Sequence, residues 1–356
     1  MGLAVLVLNR NFKNNVIMLL DKTLYSYNDI MVKPSKVSYI EHRGECNVYK
    51  ENGKLPIFTA PMSSVVDEFN YHLFENNKIN AILPRNIDIT VRYDNSCSGG
   101  WSAYSLHEFY ECFCNEYGKF NSPAKALIDI ANGHMNLMYD YVMKAKEIHG
   151  DNIIVMVGNI ANPETYKVAY NAGVDYIRVG IGSGGCCITS SNTSIHYPMA
   201  SLINDVFEIK QSLRLLSDSM ATKLPYIIAD GGIRNYSDVI KALALGADYV
   251  MIGSLFASLH ESCAKTIKVD GVKCKEIYGM ASKQGQIAIN GKKTKTAEGI
   301  TKYLPITTHL NTWVENMESY IRSAMSYTNV TDIEHFCPEF VDCVVISKNT
   351  QESVNK

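Results

Sequence analysis

No run of basic residues marks this chain. Its 356 residues carry a formal net charge of -2, which excludes a broad electrostatic grip on nucleic acid and leaves any anionic ligand to be held by local groups, as a small phosphorylated molecule can be. Paired Cys-x-x-Cys motifs are also missing. The ten cysteines, at 46, 97, 112, 114, 186, 187, 263, 274, 337 and 343, give neither a zinc signature nor a secreted disulfide frame, and read as mostly inert thiols in a reducing compartment. Long apolar runs are absent from the N-terminus. The two apolar patches within Met1–Leu20 are broken by Arg10-Asn11-Phe12-Lys13-Asn14-Asn15, so neither a signal peptide nor a membrane span is read there, no membrane partner is expected, and the cytoplasm is the expected location. Disorder is equally unsupported: at 46% hydrophobic and 20% charged, the chain can bury a large core, enough for two ordinary domains or one large α/β barrel.

What is present is a series of eight strand-like apolar runs ending in polar or small residues: Leu55–Pro61, Ile79–Pro84, Trp101–Ser105, Ala126–Asn132, Ile153–Asn159, Tyr176–Gly182, Tyr226–Gly232 and Asp248–Ser254. Most lack polar alternation, as parallel strands covered on both faces do. Helical signals fill several gaps. Asn162 reads as an N-cap, Val168, Ala169 and Ala172 as one face and Gly173 as the stop; further on, Ser237 reads as a cap, Ile240 and Leu243 as a face and Gly246 as the stop. The repeated β-α unit predicts a single (β/α)8 TIM barrel over residues 1–356, with a doubly wound open sheet as the runner-up. Asn311–Ser326 reads as a helix packed outside the barrel, His107–Gly118 as an apolar helix rather than a metal site, and 347–356 as a polar, mobile tail.

In a barrel the polar strand ends converge on one rim. Asp129, Asn159, Asp230-Gly231-Gly232, Gly253-Ser254 and the loop Gly180-Ile181-Gly182-Ser183-Gly184-Gly185-Cys186-Cys187-Ile188-Thr189 would then share a mouth. Glycines there let backbone amides approach phosphate oxygens, an aspartate can accept from ribose hydroxyls, and a cysteine in an amide-rich loop can be stabilised as a thiolate nucleophile.

Those residues, with Tyr27-Asn28-Asp29-Ile30, Ala60-Pro61-Met62, Asp129-Ile130-Ala131-Asn132-Gly133-His134, Gly158-Asn159, Arg178-Val179-Gly180 and Tyr278-Gly279-Met280, resemble the inosine monophosphate dehydrogenase and guanosine monophosphate reductase family over roughly Thr23 to Thr328. The resemblance implies that a thiolate at Cys187 attacks C2 of a purine nucleotide and that hydride moves between C2 and a nicotinamide. Cys187 rather than Cys186 falls on the family's Gly-x-Gly-x-x-Cys-x-Thr pattern, with Thr189 as its proton-transfer partner. By the same matches, Asp230 would hold the ribose; Gly232, Gly253, Ser254 and Tyr278 the phosphate; and Met280 the base. Asn159, Arg178 and Met62 would surround the purine, and Asp129 would meet the dinucleotide. Carbonyls of Gly182, Gly184 and Cys187 would bind a monovalent cation, potassium, and the family's assembly would be a homotetramer. The ordinary readings stand beside these: core packing for Met62 and Met280, a turn or capping role for Asp230.

Between the branches, no regulatory insert fits between Trp101 and Ala126, and the compact segment up to Glu298-Gly299, within a flap at 270–305 after the last barrel strand, resembles the reductase. Several positions depart from both patterns. Lys283 stands where the reductase has a proton-relaying glutamate, Lys292-Lys293-Thr294-Lys295-Thr296 lacks the dehydrogenase's Arg-Tyr pair, and Gly185 replaces a phosphate-binding serine. Ala60-Pro61-Met62 and Arg178 lean toward the dehydrogenase. The expectation is therefore reduction of GMP to IMP and ammonia with NADPH, with oxidation of IMP to XMP by NAD as the alternative and a silent purine-nucleotide-binding protein as a third reading. If Lys283 occupies the relay position, Lys283→Glu would raise reductase activity.

Overall fold

The structure is a computed structural model; it describes residues 22–115, 120, 122–216, 223–279, 281–292, 296–297 and 299–354. The Met1–Leu20 patches, Met280, Lys293-Thr294-Lys295 and Glu298 lie outside the described residues, as do the last residues of the His107–Gly118 segment. Eight parallel strands make one sheet: β1 (Ile57–Thr59), β2 (Ile82–Leu83), β3 (Trp101–Tyr104), β4 (Ala124–Asp129), β5 (Ile153–Ile160), β6 (Tyr176–Val179), β7 (Tyr226–Asp230) and β8 (Tyr249–Ile252). Their spatial order runs from β2 through β8 consecutively and then to β1. A parallel bridge between Phe58 and Asn80, with Thr59 N–H to the Asn80 carbonyl at 2.9 Å, brings the two edges together. The fold is the (β/α)8 TIM barrel, and the open doubly wound sheet is excluded.

All eight apolar runs overlap a barrel strand, and their polar ends lie at the strand termini or in the loops just beyond. The reason is burial on both faces. Phe58, Ile82, Ala103, Leu127, Met156, Ile228 and Met251 fill the barrel interior, while alternate residues such as Ile57, Ala126, Val155, Ile177 and Val250 pack against the helices. The first residues of four strands, Trp101, Tyr176, Tyr226 and Tyr249, cluster with Phe58 at ring-centroid distances from 4.9 to 6.1 Å. This aromatic plug closes the barrel bottom, so a ligand has only the opposite rim to enter.

Two of the helical readings need correction. In the helix Thr165–Asn171 the buried face is Tyr166 and Ala169, joined by Ala172 just beyond, whereas Val168 is exposed; at 100° per residue it falls on the neighbouring stripe. Asn162 accepts from the Glu164 N–H, one turn ahead of the helix proper. In the helix Tyr236–Ala244 the cap is Asn235, which accepts from the Asp238 N–H at 3.0 Å, rather than Ser237. Glycine performs as expected in both stops, with φ of +77° at Gly173 and +102° at Gly246.

The inserted flap starts earlier than residue 270. It holds a three-stranded antiparallel sheet, β9 (Thr266–Val269), β10 (Val272–Tyr278) and β11 (Thr301–Pro305), with a helix, Lys283–Asn290, between the last two. The helix Leu310–Thr328 buries Trp313, Met317, Ile321 and Met325 against the barrel's outer layer. The short strands Ile30–Val32 and Cys343–Val345 pair antiparallel and tie the two ends of the described chain together. The polar C-terminal stretch forms a helix, Lys348–Val354, from which Gln351 donates to the Asp29 carboxylate at 3.0 Å. None of the helices among the described residues is long and apolar enough to cross a membrane.

Candidate active site

The cysteine loop leaves β6 at Gly180, whose φ of +135° and 2.2 Å approach of a hypothetical Cβ to the Asp230 carbonyl admit only glycine. The loop then closes on itself. The Cys187 N–H donates to the Gly184 carbonyl at 3.0 Å, Ser190 Oγ to the Gly182 carbonyl at 3.1 Å, and the Gly232 N–H reaches back to the Ser183 carbonyl at 3.0 Å. These bonds present the two adjacent cysteines differently. Cys187 is half-buried and its Sγ–H donates to Thr189 Oγ1 at 3.2 Å. Cys186 is 6% exposed, and burial pushes its thiol up, an effect the Lys302 charge partly offsets. A thiol held protonated is a poor nucleophile, which counts against Cys186.

Beneath the loop lies a charged network. The Arg178 side chain, 8% exposed, donates through Nε and Nη2 to Asp230 Oδ2 at 3.1 and 2.7 Å and through Nη1 to Asp129 Oδ1 at 2.6 Å. Asn159 Nδ2 donates to the same Asp230 oxygen at 2.7 Å and to the Gly180 carbonyl at 2.8 Å. Burial alone would lower the guanidinium's pKa, but the two carboxylates outweigh it and raise it. Strands β4, β5, β6 and β7 thus contribute one group each, and Gly158 makes room for them: a Cβ there would stand 2.4 Å from that of Arg178.

A cavity of about 200 Å³ opens above this network. Of the residues expected around a nucleotide, Met62, Cys187, Asp230, Gly232, Gly253 and Ser254 line it. Met62 presses its sulfur to 3.0 Å from where a Gly253 Cβ would lie. An adjoining cavity is lined by Asn159, Gly182, Cys187, Thr189 and Asp230. Asp129 and Arg178 support from below. Tyr278 is not among the lining residues; its hydroxyl accepts from Ser63 Oγ at 3.4 Å, and its neighbour Gly279 lines the cavity in its place. Met280 lies outside the described residues. The sequence reading gave no role to Ser183, whose buried Oγ has no hydrogen-bond partner among the described residues, and did not single out Lys302.

The flap is seated on the loop by its backbone. The Ile300 N–H donates to the Cys186 carbonyl at 2.9 Å, and Gly299 bridges both Cys187 and Ser282. Lys283, in contrast, is exposed at the start of its helix and lines none of the three cavities around the loop.

The residues differ in how well they fit the groups that the resemblance implies. What the residues offer to a dinucleotide is local: the adjoining cavity is lined by Cys187 and Thr189, and Asp129, outside that lining, gives one oxygen to Arg178 while, among the described residues, no partner holds the other. The carbonyls expected to meet a monovalent cation are partly engaged: those of Gly182 and Gly184 accept from Ser190 Oγ and from the Cys187 N–H, each keeping a second lone pair. The described residues hold no group of three or more His, Cys, Asp or Glu side chains able to bind a metal, His107–Asn115 included.

Comparison with known proteins agrees with this geometry. The sequence model described as IMP dehydrogenase / GMP reductase domain matches residues 125–354. A protein of Streptococcus pneumoniae serotype 4 named GMP reductase is 32% identical over 344 residues, covering 93% of this chain and 98% of that protein. One of the same name from Streptococcus pyogenes serotype M5 is 30% identical over 345 residues, covering 92% and 97%.

Proposed function

The chain belongs to the IMP dehydrogenase / GMP reductase family, and within that family we propose that it reduces GMP to IMP and ammonia with NADPH. The observation that carries this reading is the pairing of Cys187 Sγ with Thr189 Oγ1 at 3.2 Å in the mouth above Asp230. The name shared by the relatives supports the reductive direction.

In this reading Cys187 loses its proton toward Thr189 as the sulfur adds to C2 of the purine, and the same hydroxyl returns a proton to the departing amine. Asp230, fixed by Arg178 and Asn159, accepts from the ribose hydroxyls. The amides around Gly232, Gly253 and Ser254 meet the phosphate, unobstructed because glycine offers no side chain. Gly185 removes the serine hydroxyl that the family would place there, so the grip is mostly backbone. A reduced nicotinamide dinucleotide held beside Asp129 would supply the hydride to C2, and the C2–S bond would then break, returning Cys187 as its thiolate and leaving C2 with hydrogen in place of the amine.

Oxidation of IMP to XMP with NAD is the second reading, favoured by Met62 and Arg178. Purified protein given GMP and NADPH is expected to lose reduced-cofactor absorbance and release ammonia and IMP in equal amounts. XMP formed from IMP and NAD, without GMP turnover, would replace the proposal with the second reading. Binding of either nucleotide without turnover would leave a silent binding protein.

A further inference from the structure

The cysteine loop has two limbs, and the side chains that close it come from its far end. Ser190 Oγ donates to the Gly182 carbonyl at 3.1 Å, and the His196 ring meets the preceding carbonyl, that of Ile181, through Nδ1 at 3.0 Å. The limbs touch. A Cβ on Gly182, where φ is +76°, would stand 2.6 Å from that of Ser190. His196 also lines a polar cavity of about 480 Å³ together with Cys187.

A carbonyl only accepts, so Nδ1 of His196 carries the hydrogen, in the neutral ring and in the charged ring alike. The ring's place is fixed from outside the loop. The next residue, Tyr197, donates to Asp205 Oδ2 at 2.6 Å, and Asp205, on the helix Met199–Leu216, is held again by Lys22 at 2.7 Å. Short bonds therefore run from that helix through Tyr197 and His196 to Ile181, two residues after β6 ends. Ile181 is 9% exposed, so taking away the donor leaves a largely buried carbonyl without it. Cys187, with its N–H on the Gly184 carbonyl, lies between the two clamped ends.

We infer that His196 is a positioning residue for the reaction: its Nδ1–H clamps the Ile181 carbonyl, closes the cysteine loop, and so holds Cys187 and Thr189 in the pairing at 3.2 Å. This role rests on Cys187 being the nucleophile of the proposed function, but not on the direction of the reaction. It needs a donor at one ring nitrogen and no proton transfer by the other.

The test uses the full chain and its His196→Ala, His196→Asn and His196→Gln variants. The amide nitrogen of asparagine takes the place of Nδ1 and that of glutamine the place of Nε2, so only asparagine restores the donor. Two quantities are read: hydrogen exchange of the peptide Gly180–Thr189, and kcat and KM with GMP and NADPH. His196→Ala is expected to exchange roughly three- to tenfold faster in that peptide and to lose a similar factor in kcat, as the loss of one hydrogen bond allows, while KM for NADPH stays within about twofold. His196→Gln is expected to follow alanine, and His196→Asn to stay within about twofold of the wild type in both quantities. Wild-type exchange in His196→Ala overturns the clamp. So does an asparagine variant as impaired as alanine, which would make the ring a proton-transfer group, or faster exchange with kcat unchanged, which would leave His196 a structural contact. Should the wild type not turn over, the proposed function fails, and the exchange pattern across the three variants decides the clamp. Should His196→Ala not fold, asparagine against glutamine decides it.

Discussion

The barrel rim and the flap meet at the cysteine loop, yet they are held by different means. On the rim, Arg178, Asp129, Asp230 and Asn159 come from four adjacent strand ends and lock one another at 2.6 to 3.1 Å over an interior of packed apolar side chains. On the flap, β9 and β11 keep mostly exposed or half-exposed side chains, and the contact with the loop is a few backbone bonds through Gly299 and Ile300. A network on rigid elements is in place before a nucleotide arrives, whereas a segment with few buried contacts opens at small cost. Under the proposed reaction, covalent attack would take place beside the fixed region, and the Lys283 and 292–296 departures from the family's patterns fall on the adjustable one.

The sharpest way to break this comparison is at the nucleophile. Cys187→Ala is expected to lower turnover at least about 10³-fold, as loss of a catalytic nucleophile does, while Cys186→Ala keeps activity; steady-state kinetics on the two variants decides. Next comes the network. Arg178→Met leaves two largely buried carboxylates facing each other without their cation and is expected to cost about 3 to 5 kcal/mol of stability, read from the denaturation midpoint in urea; a midpoint unchanged from the wild type would mean the rim is not locked by charge.

A smaller effect concerns pH. Burial pushes His149, which is 6% exposed, below its ordinary value. The folded chain keeps it neutral where the unfolded chain would protonate it, so below about pH 6.5 the unfolded state binds more protons. Its contribution is complete above that pH and is lost as pH falls. The urea midpoint should decline on acidification from neutral pH; a rise would contradict its burial. The flap, residues 266–305, contains no histidine, so its amide exchange should not share this dependence after correction for intrinsic rates. Smallest of all is Lys283→Glu. The sequence alignment would have this change raise reductase activity, but Lys283 is exposed and outside the cavities, so turnover should stay within about twofold. A larger increase in kcat would put Lys283 in the proton relay and move part of the chemistry onto the flap.

The same division explains what could be read from the chain. Barrel strands such as Ile153–Ile160 are continuous apolar runs because both faces are buried, and that pattern survives in sequence. That Asp230 and Cys187 line one mouth was legible because strand ends converge on a rim. The Arg178 network was not, since which carboxylates a guanidinium reaches depends on strand register. Part of the flap sheet carried a signal that went unused: Asp270-Gly271, with φ of +49° and +82°, is the two-residue turn between the alternating strands β9 and β10. Lys302 had no such signal, because its place beside the loop comes from the bond of Ile300 to Cys186. The three-residue pairing of Ile30–Val32 with Cys343–Val345 is likewise set by long-range contact.

The most direct measurement is peptide mapping after limited alkylation of the native protein, with and without GMP. The account predicts that label enters Cys187 ahead of Cys186 and that GMP protects Cys187. Label entering Cys186 first, or Cys187 labelling unaffected by saturating GMP, would contradict it.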